Sequence, residues 1–325
     1  MSECDVPVGA SSEPVRPRRV LRADVRTARR RLSGRVRKTP VFHTSVEGPD
    51  GPVPVSLKME FLQHGGTFKV RGALNALLGA DGDADHIVVA SAGNGGIAVA
   101  LAAAQLGKAC TVVVPESAPH TKVAAMWAHG AEVLWHGTNY AEAERRAVTL
   151  AAERKAGHLH AYDMPALVAG AGIIGLELEE QVRGRPPVLA AVGGGELIAG
   201  LGAALGKRRR IVGIEAEHTP VLSAALAAGG PVEVDAPAPA GELLCPTRIG
   251  DIAYDIAQRH RMPALPVADE AITAAREYLW REFRVVVELE GAAALAAVQS
   301  GAYKPEPGVR PIVVLCGANT ELPML

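Results

Sequence analysis

Aromatic side chains are scarce in this chain: four Phe, five Tyr and three Trp among 325 residues. Its core must therefore be built from aliphatic side chains, and with 48% hydrophobic residues there are enough of them to exclude a chain disordered throughout. An excess of one charge is missing too. Thirty-four Lys plus Arg face 35 Asp plus Glu, a formal net charge of −1. So balanced a chain lacks the basic field that a phosphate backbone demands, and nucleic acid is not expected as a partner. No uncharged apolar run nears the roughly 18 to 20 residues that cross a bilayer. Residues 1–19 are polar and Pro-containing, so neither a membrane span nor a signal peptide is expected. Cysteine is rare: Cys4, Cys110, Cys245 and Cys316 form no Cys-x-x-Cys pair. That excludes a zinc knuckle and a disulfide framework, and favours a reducing, cytoplasmic setting. No metal site is expected.

What is present is alternation. The length is about twice the usual 100 to 200 residues of one domain, which predicts a two-lobed, enzyme-sized protein. Residues 1–18 lack hydrophobic periodicity and read as a mobile tail; 20–32 carries helical spacing rich in Arg. Beyond it, short β-branched runs at 86–90, 109–114, 131–135, 188–192, 210–214 and 311–315 are apolar on both faces, as strands of a covered parallel sheet are. Helical patterns at 96–106, 121–128, 140–156, 198–206, 272–283 and 291–300 lie between them. This order predicts an α/β fold, with ligands at the turns after the carboxyl ends of the strands. The Pro-rich stretch 229–241 reads as a surface excursion.

Four segments put chemistry at such turns. After the run 55–59, Gln63-His64-Gly65-Gly66-Thr67-Phe68-Lys69-Val70-Arg71-Gly72-Ala73 leads through a Gly-Gly turn into a helix with Lys69 in its first turn. The positive end of the helix dipole opposes an ammonium there, as burial does, and both favour the neutral amine that forms Schiff bases. The plainer alternative is a solvated Lys beside an Arg. Ser91-Ala92-Gly93-Asn94-Gly95-Gly96 sets a hydroxyl, an amide and bare N–H groups at a strand-to-helix turn, which suits a carboxylate or a helix cap equally. Gly193-Gly194-Gly195-Glu196-Leu197 also joins a strand to a helix and suits a phosphate or tight packing; it is neither a dinucleotide fingerprint nor a Walker loop. Cys316 ends the last strand, where a buried inert thiol is the ordinary case.

Together these segments resemble the fold-type II pyridoxal-phosphate enzymes, and within them the threonine/serine dehydratase family with its serine racemase-like relatives. The likeness runs from Arg22 to Asn319. It includes Val114-Pro115-Glu116-Ser117-Ala118-Pro119 with Lys122, Ala161-Tyr162-Asp163-Met164-Pro165, and Glu290-Gly291-Ala292-Ala293-Ala294-Leu295.

The resemblance implies two α/β lobes, each with a mainly parallel sheet. A small substrate lobe would span 83–162, and a large cofactor lobe 19–82 plus 163–325. Lys69 would bind pyridoxal 5′-phosphate through a carbon–nitrogen double bond and act as the catalytic base. Phe68 would lie against the cofactor and Asn94 would bond its phenolic oxygen. Gly193, Gly194 and Gly195 would hold its phosphate, and Cys316 would face its ring nitrogen. Glu196, Leu197 and Glu290 complete the implied cofactor contacts. Ser91, Ala92, Gly93 and Asn94 would receive the carboxylate of an amino-acid substrate.

The implied reaction is β-elimination from an L-hydroxyamino acid such as threonine or serine, giving a 2-oxo acid and ammonia. A homodimer is implied as well, and no appended regulatory domain is expected after Asn319. Ala92 stands where racemases of the family carry a serine base, so elimination is expected over racemisation. Glu196 stands where the phosphate loop usually has a fourth glycine, Gly95 where His is frequent, and Ala171-Gly172-Ile173 where Gln-Gly-Thr is common. Val221 falls where the family's cation site would want an acidic residue. Three other readings stay open: β-replacement or elimination on a specialised β-substituted amino acid, a catalytically decayed binding protein of the same fold, and a nicotinamide oxidoreductase with Glu215 as ribose partner.

Overall fold

β-Branched runs bounded by turns make the strands, and Ala/Leu stretches between them make the helices. The computed structural model of the protein describes residues 19–79, 83–235 and 246–321; the expected tail at 1–18 lies outside them, as does part of the 229–241 excursion. The chain opens with α1 (Arg22–Arg31), the strands β1 (Val41–Val46) and β2 (Val53–Met59), and α2 (Lys69–Leu77). A second run follows: β3 (His86–Ala90), α3 (Asn94–Gln105), β4 (Ala109–Val114), α4 (His120–Ala128), β5 (Glu132–Trp135), α5 (Tyr140–Glu153) and β6 (Gly157–Leu159). The chain then returns through α6 (Pro165–Ala171), α7 (Ile173–Gln181), β7 (Val188–Ala191), α8 (Glu196–Leu205), β8 (Ile211–Ala216) and α9 (Val221–Ala228). It closes with α10 (Asp251–His260), β9 (Ala264–Val267), α11 (Asp269–Phe283), α12 (Leu289–Gln299) and β10 (Ile312–Leu315).

Two sheets result. The smaller has the order β5-β4-β3-β6 and is parallel throughout; the larger has the order β1-β2-β10-β7-β8-β9, parallel except for β1. The α/β two-lobe fold thus agrees with the expectation. The predicted strands fall within two residues of β3, β4, β5, β7, β8 and β10. Strands β1, β6 and β9 and helices α6, α7, α9 and α10 are additions. Among the described residues no helix is long and apolar enough to cross a membrane.

Helices on both faces bury the sheets. One cluster is continuous from Val89 and Val112 of the small sheet, through Ile97 of α3, Leu74 of α2 and Val168 of α6, to Leu201 of α8 and Val314 of the large sheet. A second fills the other face of the large sheet, where Leu57, Leu189 and Val212 meet Leu295 and Val298 of α12. A third packs Val88 and Val113 on Leu150 of α5.

One polar knot fixes the helix that carries Lys69. Arg71 on α2 is fully buried and gives Nε to Glu60 at 2.9 Å and Nη1 to Glu177 of α7 at 2.7 Å. Lys58 of β2 bonds the other Glu177 oxygen at 2.5 Å and the Thr39 carbonyl at 2.8 Å. Buried charges survive only when paired and bonded in this way. The turn before α2 needs left-handed backbone at Gly65 and Gly66, with φ of 64° and 66°, which glycine adopts without strain.

Candidate active site

Lys69 is the first residue of α2, with a side chain 21% exposed. Its Nζ lies 2.7 Å from Glu196 Oε2, 3.4 Å from the Ala161 carbonyl and 5.5 Å from the centre of the Phe68 ring. Ala161 follows β6 and Glu196 opens α8, so the amine bridges the ends of elements from both sheets. The solvated lysine of the plainer alternative is not what the fold makes.

β7 runs into Gly193-Gly194-Gly195 and then α8. Gly194 and Gly195 are there for room, whereas a side chain at Gly193 would meet only an ordinary contact. A Cβ on Gly194 would stand 2.3 Å from the Tyr162 ring, one on Gly195 2.4 Å from Ala253 Cβ, and one on Gly193 3.4 Å from Pro246 Cδ. Gly195 also has φ of 89°. Among the described residues, no protein acceptor takes the N–H of Gly193, Gly194 or Gly195. Those of Glu196 and Leu197 fall in the first turn of α8, which has no intrahelical acceptors to offer. Five open donors at the positive end of a helix fit a phosphate dianion. The Leu197 side chain itself is core, 3% exposed.

The 91–96 turn is built alike. Ser91 bonds Val113 O through its N–H, and its Oγ accepts from Gly93 N at 3.3 Å. Gly93 is the N-cap of α3 and no side chain caps it, so neither Ser91 nor Asn94 serves as a helix cap. The N–H groups of Asn94, Gly95 and Gly96 open the helix free of intrahelical partners. Ala92 is half-buried against the main core and offers only a methyl group.

Asn94 is held from two sides. Its Nδ2 donates to Glu288 Oε1, and its Oδ1 accepts from Asn319 Nδ2 at 2.7 Å; Asn319 also bonds the Gly65 carbonyl at 2.8 Å. An amide nitrogen has two hydrogens, so one of Asn94 stays available. Glu288, 1% exposed, also receives Nζ of the buried Lys122. Cys316 is buried, with Sγ 3.6 Å from the Glu290 carbonyl. Burial first, then the charges of Glu288 and Glu290, push the thiol well above its ordinary value, so it is neutral. Burial likewise raises the Glu196 carboxyl, against the charge and hydrogen bond of Lys69.

Sequence reasoning gives no role to Glu288, Asn319 or Tyr162, although the last two stand in or at the end of its family-like segments. Glu288 lies two positions from Glu290, and nothing in Val287-Glu288-Leu289-Glu290 tells which carboxylate turns inward until the fold brings Asn94 and Lys122 to it. Asp163 accepts from the backbone of Asp251 and Ile252 at 2.9 and 3.1 Å and so caps α10. Glu215 caps α9, taking Leu222 N at 2.5 Å, Ser223 N at 3.0 Å and Ser223 Oγ at 2.6 Å. Its carboxylate is fully used, which removes the ribose partner that a nicotinamide reading requires. Val221 is buried in the same helix, an apolar contact.

A lysine amine thus lies between two mainly parallel sheets, beside a glycine turn whose N–H groups are open. Residues 32–317 match the family described as "Pyridoxal-phosphate dependent enzyme", and the chain belongs to it. It is 31% identical over 307 residues to the L-threonine ammonia-lyase of Thermotoga maritima, covering 93% of this chain and 76% of that protein. To the phenylserine dehydratase of Ralstonia pickettii it is 32% identical over 298 residues, 90% of this chain and 91% of that one. The solved structure of a threonine deaminase from T.th. matches with a TM-score of 0.84 at 32% identity, over 94% of this chain and 100% of that chain.

Proposed function

We propose that the protein is an ammonia-lyase acting on an L-hydroxyamino acid such as threonine or serine. The substrate loses its β-hydroxyl as water, takes a water back at the carbon bearing nitrogen, and leaves as a 2-oxo acid and ammonia. What supports this most is the half-buried Lys69 amine beside a turn of unpaired N–H groups, together with the named activities of the similar proteins.

Bound pyridoxal phosphate supplies an electron sink conjugated to the substrate nitrogen. Lys69 would hold it through its amine, and the same amine would serve as the base for the substrate's Cα proton. The N–H groups of Gly193, Gly194, Gly195, Glu196 and Leu197 would hold the phosphate. Phe68 would lie against the cofactor, Asn94 would offer it the free amide hydrogen, and Cys316 beside Glu290 would meet it with a neutral thiol. A neutral thiol does not force a proton onto the ring nitrogen, which favours prompt loss of a β-substituent. The turn of Ser91, Ala92, Gly93 and Asn94 receives the substrate carboxylate, and Ala92 supplies no second base. In this reading residues 83–162 form a substrate lobe that closes over the one made by 19–82 and 163–325, excluding water. The reading includes a homodimer and a cytoplasmic setting.

Purified protein given L-threonine or L-serine is expected to release a 2-oxo acid and ammonia in equal amounts. Lys69→Ala should lower turnover below detection, and borohydride reduction of the native protein should leave a pyridoxyl group on the peptide containing Lys69. Product that forms only when a nucleophile is added would move the assignment to β-replacement. A native peptide without the adduct would end it.

A further inference from the structure

Glu196 is the one member of the phosphate turn whose side chain carries charge, and it is aimed at the reacting amine. Its carboxyl is 2% exposed. Oε2 bonds Lys69 Nζ at 2.7 Å, while Oε1 is buried with no hydrogen-bond partner among the described residues. The side chain has room because residue 72 on α2 is glycine: a Cβ there would stand 2.6 Å from Oε1. In the cofactor-free chain the arrangement is balanced, ammonium against carboxylate, at the positive end of α8.

Loading the cofactor upsets that balance. Lys69 must give up a proton before its lone pair can attack an aldehyde, and the phosphate then claims the helix end that had favoured the carboxylate. Left ionised, Glu196 would be a buried anion with one unbonded oxygen beside a dianion, the costliest state available to it.

We propose that Glu196 takes the ammonium proton of Lys69 during cofactor loading and remains a neutral carboxylic acid in the loaded protein. The inference rests on the reading of Lys69 as the cofactor lysine. Protons balance within the pair: ammonium and carboxylate become amine and acid. The amine nitrogen then bonds the aldehyde carbon, and the carbonyl oxygen leaves as water with the two remaining amine hydrogens, giving the carbon–nitrogen double bond. Burial, which raises the Glu196 carboxyl, works in the same direction.

The test compares the native protein with Glu196→Gln and Glu196→Gly. Infrared difference spectra, loaded minus cofactor-free, are expected to show the carbonyl stretch of a protonated carboxyl in the native protein, shifted by deuterium exchange and missing from both variants. Uptake of added pyridoxal phosphate at neutral pH, followed by growth of the imine absorbance, should be about 10²-fold slower in Glu196→Gln, the usual loss when a positioned proton acceptor is removed. A native spectrum with Glu196 ionised, the proton lying on the C=N nitrogen instead, would overturn the proposal. So would a Glu196→Gln protein that loads at the native rate. Borohydride trapping at Lys69 in the same samples separates the two questions: an adduct without the acid band sinks only this inference, and no adduct sinks the assignment of Lys69.

Discussion

A methyl group added at Gly194 would land 2.3 Å from the Tyr162 ring, a separation that forces either the turn or the ring to move. Gly194→Ala is expected to weaken pyridoxal-phosphate binding at least about tenfold, the effect of roughly 1.4 kcal/mol, read by titrating the imine absorbance. Shrinking the ring as well, in Gly194→Ala with Tyr162→Ala, should recover part of the loss. Ala92→Ser sets a hydroxyl where the half-buried methyl now stands; some D-serine should then form from L-serine, detectable by chiral chromatography, against none from the native protein. At this scale the motif residues are readable because each stands where a strand meets a helix, a place that pattern alone locates. Glu288, Asn319 and Tyr162 are not, because they join the site only through contacts across more than 30 residues of chain.

Helix α2 owes its position to charge pairs with no access to water. Removing Glu177 would strand Arg71 and Lys58 inside the protein, so Glu177→Ala should cost about 3–5 kcal/mol, seen as a lower urea midpoint. Burial pushes the Glu60 carboxyl up, but the charge and hydrogen bond of Arg71, with Lys58 and Thr39, outweigh it and hold the group below 4.5. A carboxyl depressed on folding stabilises the fold above its unfolded value and loses that contribution as pH falls through its folded one. The contribution of Glu60 should therefore be full and independent of pH near neutrality and decline as the medium is acidified below about 4.5, followed by the melting temperature. The elements that pattern misses share a cause. β1 is an edge strand with mixed exposure, β6 has three residues, and β9 carries Pro266 on the other edge, so none shows the doubly apolar run of the inner strands.

Over the whole molecule the two sheets share one apolar interior, continuous from Val89 to Val314 through α2 and α6. Unfolding is expected to be a single event, with far- and near-ultraviolet circular dichroism losing signal at the same denaturant concentration; two separated transitions would show that the sheets melt independently. The chain leaves the large sheet through α2 and comes back through α6, and these helices touch: Asn75 Nδ2 donates to Ala166 O at 2.8 Å, and a Cβ on Gly170 would stand 2.4 Å from the Arg71 carbonyl. Departure and return at one spot make the intervening stretch a cassette. A change in its length can be absorbed without altering where the two ends must join, but not at its contacts with the site, where the Ala161 carbonyl meets Lys69 and Tyr162 covers Gly194.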